Sequence, residues 1–349
     1  SNGPGGGVGT AGGTDAGAAL MEVVGKVLAL SRTQQGCRQL QNLLSALGAP
    51  AADVIFREVA SALPEVMVDP FGNYLFQKLL AFTNDYVKLF ILHAVAPSLL
   101  EAALSMHGTR SVQRLVEVCR RPDQVALLRQ QLRGHVVRLA MDANGNHVVQ
   151  RCLQHMLHSD KQFVYDEVEK QCQAVCSHRH GCCVVQRCID AASAPQRWSL
   201  VDKIAGLAVS LSQDQYGNYV VQYVMERGDA EQASRISRSI LSSVAALSTQ
   251  KYSSNVVEKC LQAAPEDVRK ICIEAMLKGN TIVRLAQDQY ANYVVQRALA
   301  MANTAQYSRM AELLSPHTKS LMHSSGGRRV VARIQKDFPH LFKHRSRHS

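Results

Sequence analysis

No run of apolar residues in this chain reaches the length of about 18 that a membrane span needs. The opening residues, SNGPGGGVGTAGG, carry neither a basic segment nor an apolar stretch, so they do not form a secretory signal. Cysteine is too sparse for a disulfide scaffold, with ten in 349 residues, and the thiols read as reduced ones inside a cell. Secreted and membrane-embedded readings are set aside on these grounds. There is no Gly-rich phosphate loop, no nucleophile motif and no strand after the Gly-rich leader, so nothing supports an enzyme or a cofactor. No stretch alternates with period two for long enough to need a sheet. Acidic residues are the scarcer charge. The 28 Asp and Glu against 39 Lys and Arg leave a formal +11, which points to an anionic partner such as nucleic acid or a membrane surface. The chain opens on Ser1 without an initiator Met and reads as a segment of a longer protein.

With 46% hydrophobic residues the chain has material for a sizeable core, and its length alone would suggest about two domains. A repeat overrides that count. GNYLFQKLL from Gly72, GNHVVQRCL from Gly145, GNYVVQYVM from Gly217 and ANYVVQRAL from Ala291 are one element, each with an Asp three residues upstream: Asp69, Asp142, Asp214 and Asp288. Looser copies lie between them: GCRQLQNLL from Gly36, GTRSVQRLV from Gly108, GCCVVQRCI from Gly181 and SSNVVEKCL from Ser253. The second residue of each marks a register at 37, 73, 109, 146, 182, 218, 254 and 292, a period close to 36 throughout. A degenerate ninth copy, GRRVVARIQ from Gly327, continues it.

Each period holds two apolar patterns of helical spacing. Ile236, Ile240, Leu241 and Val244 form one face before the seventh copy, and Val256, Val257, Cys260 and Leu261 form another within it. Pro50, Pro122, Pro195 and Pro265 follow the motif in alternate copies, where proline ends one helix or opens the next. The pattern predicts an all-α solenoid over residues 18–342, between a disordered Gly-rich leader (1–17) and a basic tail (343–349).

Relative to the register residue, positions two, three and six further on are mostly apolar and belong to the core. The register residue itself and those one and four further on are polar, aromatic or cationic in nearly every copy. These trios are Cys37, Arg38 and Gln41; Asn73, Tyr74 and Gln77; Thr109, Arg110 and Gln113; and Asn146, His147 and Gln150. They continue as Cys182, Cys183 and Gln186; Asn218, Tyr219 and Gln222; Ser254, Asn255 and Glu258; and Asn292, Tyr293 and Gln296. Residues four apart stack one turn apart on a helix, so each copy presents two hydrogen-bonding groups with a flat or cationic group beside them. Such a pair suits the polar edge of a nucleobase, and the third group suits its face. Glu258 only accepts, and guanine is the base offering two adjacent donors, which assigns guanine to the seventh copy. Two plainer readings stand beside this one: Asn as a helix N-cap, and Tyr as a half-buried packing residue. Against the first, Gln or Glu recurs four residues on rather than the three of a capping box; against the second, Arg replaces Tyr in copies one and three.

The eight trios resemble those of the Pumilio, or PUF, family of RNA-binding proteins, over residues from about 20 to 335. The forms Asn-Tyr-x-x-Gln, Asn-His-x-x-Gln, Cys-Arg-x-x-Gln and Ser-Asn-x-x-Glu all occur. The resemblance implies three short helices per repeat and a right-handed, crescent-shaped solenoid whose concave face binds single-stranded RNA, one base per repeat. It implies antiparallel binding, with Asn and Gln reading uracil, Ser and Glu guanine, and Cys or Ser with Gln adenine. The resulting site is 5′-UGUAUAUA-3′ in messenger RNA 3′ untranslated regions. It further implies a cytoplasmic, monomeric regulator that lowers translation or stability of messages by recruiting deadenylase and repressor proteins on its convex face. Departures from the family pattern are Cys183 in a stacking slot, Thr109 in place of a smaller residue, and no N-terminal capping segment before repeat one. Arg328, Arg329 and Ala332 of the ninth copy suit a C-terminal cap.

Two other readings compete. Armadillo or HEAT-like protein-binding solenoids have longer repeats of about 40–47 residues and no reason to repeat such trios. PUF-like ribosome-assembly factors tend to have degenerate trios. His178, His180, Cys182 and Cys183 lack common zinc spacing, and Cys172 and Cys176 read as packing or surface thiols.

Overall fold

The computed structural model describes residues 11–339, and among them every regular element is helical. Each repeat holds three helices rather than the two suggested by apolar spacing alone. The third, carrying the motif, spans Gln34–Leu47, Gly72–Phe82, Gly108–Val118, Gly145–His155, Gly181–Ala191, Gly217–Arg227, Ser253–Ala263 and Ala291–Met301, with Ser325–Asp337 in the ninth copy. The apolar face expected before the seventh copy divides in two. Ala230–Ile240 and Val244–Ser248 are separate helices joined by a 3₁₀ turn at Leu241–Ser243, which bends the chain while Ile236, Ile240 and Val244 stay buried. The four prolines sit where a missing N–H costs nothing. Pro50, Pro122 and Pro195 lie in the first turn of a helix, and Pro265 just before one.

The first helix, Ala11–Val23, begins inside the stretch expected to be irregular. Its glycines are poor helix formers, but the helix packs on Gln34–Leu47, and packing outweighs intrinsic propensity. Repeat one therefore has all three helices. The rest of the leader, 1–10, and the basic tail, 343–349, lie outside the described residues.

The chain divides into two compact units, one ending at Glu167 and one beginning at Val168. In the first, the third helices of repeats one to four pack each on the next; in the second, those of repeats five to nine do the same. The core is the space between the three helices of a repeat and their neighbours. In repeat two it takes Leu75, Phe76, Leu79 and Leu80, all almost fully buried, each worth about 1.5–3 kcal/mol when fully withdrawn from water. Asp85–Leu104, of mean hydropathy 1.6, is long and apolar enough by composition to cross a bilayer. It is broken at Ala96–Ser98 by a 3₁₀ turn containing Pro97, and it buries Ile91, Leu92, Val95 and Leu99 in the core of repeat three.

Neighbouring repeats are also tied by hydrogen bonds to backbone that helix ends would leave unpaired. Glu58 accepts from the N–H groups of Gly25 (2.6 Å) and Val27 (3.1 Å), at the start of the second helix of the repeat before. Glu167 repeats the contact on Gly134 (2.6 Å) and Val136 (3.0 Å). Gly25 and Gly134 have φ of 77° and 84°, a conformation that favours glycine.

The third helix starts where the motif glycine lies against the second. A Cβ on Gly72, Gly145 or Gly217 would fall 2.9 Å from the carbonyl oxygen of Val66, Leu139 or Leu211. Four residues before the register residue stands a cap. Oδ1 of Asp69 accepts from the N–H groups of Phe71 (2.8 Å) and Gly72 (2.7 Å), and Asp142, Asp214 and Asp288 do the same in their repeats. Thr33, Ser105 and Ser324 supply a hydroxyl oxygen at this position, and His178 its Nδ1. Replacing Asp142 by Ala leaves these N–H groups without their acceptor. It should lower stability by about 0.5–2 kcal/mol, read as a fall in the urea midpoint; an unchanged midpoint would show the cap to be dispensable.

Candidate nucleic-acid interface

The eight trios divide by depth in the same way in every repeat. The register residues Cys37, Asn73, Thr109, Asn146, Cys182, Asn218, Ser254 and Asn292 are all buried. Gln41, Gln77, Gln113, Gln150, Gln186, Gln222, Glu258 and Gln296, one turn on, are half-buried. Arg38, Tyr74, Arg110, His147, Cys183, Tyr219, Asn255 and Tyr293 are exposed. Tyr74, Tyr219 and Tyr293 keep 58%, 57% and 49% of their surface, which is not how a packing residue sits. Because the third helices lie side by side, each unit brings its own trios onto one face.

The asparagines are not caps. Asn73 Nδ2 donates to the carbonyl oxygens of Asp69 (2.8 Å) and Pro70 (3.0 Å), and Asn146, Asn218 and Asn292 make the same two bonds. With both amide protons spent, Oδ1 points along the helix. It accepts from Gln77 Nε2 (3.0 Å), and likewise Asn146, Asn218 and Asn292 accept from Gln150 (2.9 Å), Gln222 (2.9 Å) and Gln296 (3.1 Å). Each glutamine thus carries its Oε1 beside an amide nitrogen, and in Gln77 and Gln222 that nitrogen also donates to the backbone carbonyl of Asn73 (3.2 Å) and Asn218 (3.3 Å).

Where the register residue is Cys or Thr, the bond from the glutamine recurs in repeats one and three. Cys37 Sγ donates to the carbonyl of Phe71 (3.0 Å) and accepts from Gln41 Nε2 (3.2 Å). The Thr109 hydroxyl donates to the carbonyl of Asn144 (3.0 Å) and accepts from Gln113 Nε2 (3.1 Å). Cys182 lies 3.5 Å from the carbonyl of Arg179, and Cys183 is the one exposed thiol among the ten.

Repeat seven differs in kind. Ser254 Oγ makes only a long bond, 3.4 Å, to the carbonyl of Lys251, and Glu258 puts a carboxylate where the others have an amide. Burial pushes the Glu258 carboxyl above the usual carboxylate range, and the Arg297 guanidinium partly offsets this. A pocket of about 260 Å³ opens here, lined by Tyr219, Gln222, Asn255, Glu258, Lys259 and Gln262.

The ladder flanking this face was not anticipated from the trios. At three junctions the residue five past the register pairs with the one eight past the register in the repeat before. Arg151 Nε lies 3.2 Å from Glu117, Lys259 pairs with Glu226, and the Tyr223 hydroxyl donates to Asp190 at 2.7 Å. The recurrence of Arg or Lys directly after the motif glutamine was its signal. The cysteine pair Cys172 and Cys176 is buried, with sulfurs 3.8 Å apart.

Against known proteins, residues 63–96, 99–130, 135–169, 171–205 and 208–241 match the Pumilio-family RNA binding repeat, and 241–336 match a NOP9-like PUF repeat domain. A Pumilio domain-containing protein of Schizosaccharomyces pombe is 39% identical over 90% of this chain and 46% of its own length. Pumilio homolog 12 of Arabidopsis thaliana is 36% identical over 90% of this chain and 53% of its own. The chain thus spans about half the length of these relatives. Among solved structures, the Puf4 RNA binding domain bound to the HO endonuclease RNA 3′ UTR recognition sequence superposes with a TM-score of 0.80. It is 36% identical, with 88% of this chain and 98% of that one covered. PUF-8 in complex with PBE-RNA gives 0.76 at 30% identity, covering 91% and 95%.

The ninth copy adds a constraint on the eighth. A Cβ on Gly326 would fall inside the side chain of Asn292. Gly326→Ala should therefore displace Asn292 and break its bond from Gln296. The side-chain amide resonances of Asn292 and Gln296 are expected to shift while those of Asn218 and Gln222 stay. Unmoved Asn292 resonances would contradict this packing.

Proposed function

The chain belongs to the Pumilio (PUF) family of RNA-binding repeat proteins, and from that premise we propose that it reads the single-stranded site 5′-UGUAUAUA-3′, one base per repeat from repeat eight to repeat one. The observation that carries this reading is the sorting of the eight pairs into three chemical kinds. Uracil offers an N–H beside a carbonyl, the complement of the carbonyl and amide that each asparagine-linked glutamine side chain carries. Adenine offers a donor and an acceptor to the same glutamine but is larger, and the short side chains of Cys37, Thr109 and Cys182 leave room for it. Guanine offers two donors, which suit the two oxygens of Glu258. Repeats eight, seven and six then read UGU through Asn292 and Gln296, Ser254 and Glu258, and Asn218 and Gln222. Exposed Tyr, His and Arg side chains give the bases a stacking surface.

On this reading the protein is a cytoplasmic, monomeric post-transcriptional regulator. It finds messages by their 3′ untranslated regions and represses translation or promotes decay through deadenylase or repressor proteins held by its outer helices. Part of its attraction is neutralisation of phosphates, in keeping with its excess of basic residues, so affinity falls as salt rises. A protein that held RNA by charge alone would have no use for pairs sorted in this way. The stretch matching the NOP9-like domain contains two of the clearest, Ser254 with Glu258 and Asn292 with Gln296.

Exchanging the pair of repeat seven tests the code. Ser254→Asn with Glu258→Gln should switch the second base from guanine to uracil in a competition assay, and a retained preference for guanine would sink the assignment. Tyr219→Ala should cost about 1–3 kcal/mol of binding on all sequences with base choice unchanged; a base-selective loss would contradict a stacking role.

A further inference from the structure

Arg297 stands five residues past the register residue of repeat eight, a position that feeds an ion pair in repeats three, four, five and seven. Arg151 and Lys259 reach the acid eight past the register in the preceding repeat, Glu117 and Glu226. Arg114 and Arg187 pair with the acid three residues on in their own helix, Glu117 at 3.0 Å and Asp190 at 3.4 Å. Arg297 has neither option. The residue eight past the register in repeat seven is Gln262, and the residue three past Arg297 is Ala300. Its guanidinium faces Glu258 instead, with Nε 4.0 Å from Oε2. That Nε is buried and has no hydrogen-bond partner, one of two such side-chain nitrogen or oxygen atoms among the described residues.

We propose that Arg297 is a specificity-determining residue that acts through Glu258, holding it as an open carboxylate aimed at the second base of the site. The inference rests on the reading of repeat seven given above. Two facts make the contact suited to the task. At 4.0 Å the two groups attract without a hydrogen bond, so both carboxylate oxygens keep their lone pairs for guanine. A tight bidentate pair would have occupied them. Seating a base over Glu258 also removes water from a carboxyl already half-buried, which favours its neutral form, and a fixed positive charge beside it opposes this. A neutral Glu258 would offer one donor and one acceptor, the pattern of glutamine, and would lose its reason to prefer guanine. Arg297 therefore sets base choice from the neighbouring repeat.

The test is binding of RNAs carrying G, A or U at the second position, with a third-position series as control, to the wild type, Arg297→Met and Arg297→Lys. Arg297→Met should reduce the preference for guanine over adenine by roughly tenfold or more, equivalent to about 1.4 kcal/mol, with third-base choice unchanged. Arg297→Lys should restore most of it. In a Glu258→Gln background, Arg297→Met should leave second-base choice unaltered. A Met variant that keeps the wild-type preference, or that loses affinity equally on all RNAs, overturns the inference while leaving the code of repeat seven standing. A wild type without preference for guanine overturns both.

Discussion

One carboxylate oxygen sets the start of the third helix in four of the repeats. Oδ1 of Asp69, Asp142, Asp214 or Asp288 takes two backbone N–H groups of the turn before the helix, and the backbone carbonyl of the same residue takes the amide of the asparagine four residues on. The turn, the helix end and the reading side chain are thereby one hydrogen-bonded unit. In three of these repeats a glycine just before the asparagine lies close against the second helix, and Ala291 stands there in the fourth; in repeat seven Ser253 takes that place, its hydroxyl donating to the carbonyl of Leu247 at 2.6 Å. A side chain held so has no freedom left to lose on binding, so little ordering entropy opposes recognition.

That arrangement divides labour by depth. On the proposed reading, the buried register residue sets how much room a base has, the half-buried residue one turn on sets which donors and acceptors it meets, and the exposed one supplies area and charge. Variation at a single depth alters one property at a time: Thr109 in place of a cysteine changes the room, Glu258 in place of a glutamine changes the chemistry, and Cys183 in place of a ring removes a stacking surface. Paired side chains recur beside this face at three junctions, and Gln262 stands in an acid's place next to Glu258.

Much of this was legible without coordinates. The period near 36 and the recurrence of a polar pair four residues apart in every copy established the repeats and the candidate residues, because a helix turns apolar spacing into a core and polar spacing into a face. The competing view of the asparagines as caps was harder to dismiss from residues alone, since Asn after Gly opening a helix has that signature; only the direction of the Nδ2 bonds separates the two. The second helix of each repeat was hidden because segments as short as Leu63–Val66 hold too few residues to show a period. Ala11–Val23 was hidden by its glycines, whose cost is offset by packing that no local pattern reveals. The pairing of Arg297 with Glu258 depends on what is missing at Gln262 and Ala300, and an absence of acid in two repeats at once has no local signal.

The central claim is that these repeats choose bases. Fluorescence anisotropy at physiological salt, with 5′-UGUAUAUA-3′ and the same RNA carrying ACA in place of UGU, tests it most directly. The account predicts tight binding to the first and a loss of about a hundredfold or more on the second. Equal affinity for both would contradict it and would mean that the basic surface holds RNA without reading it.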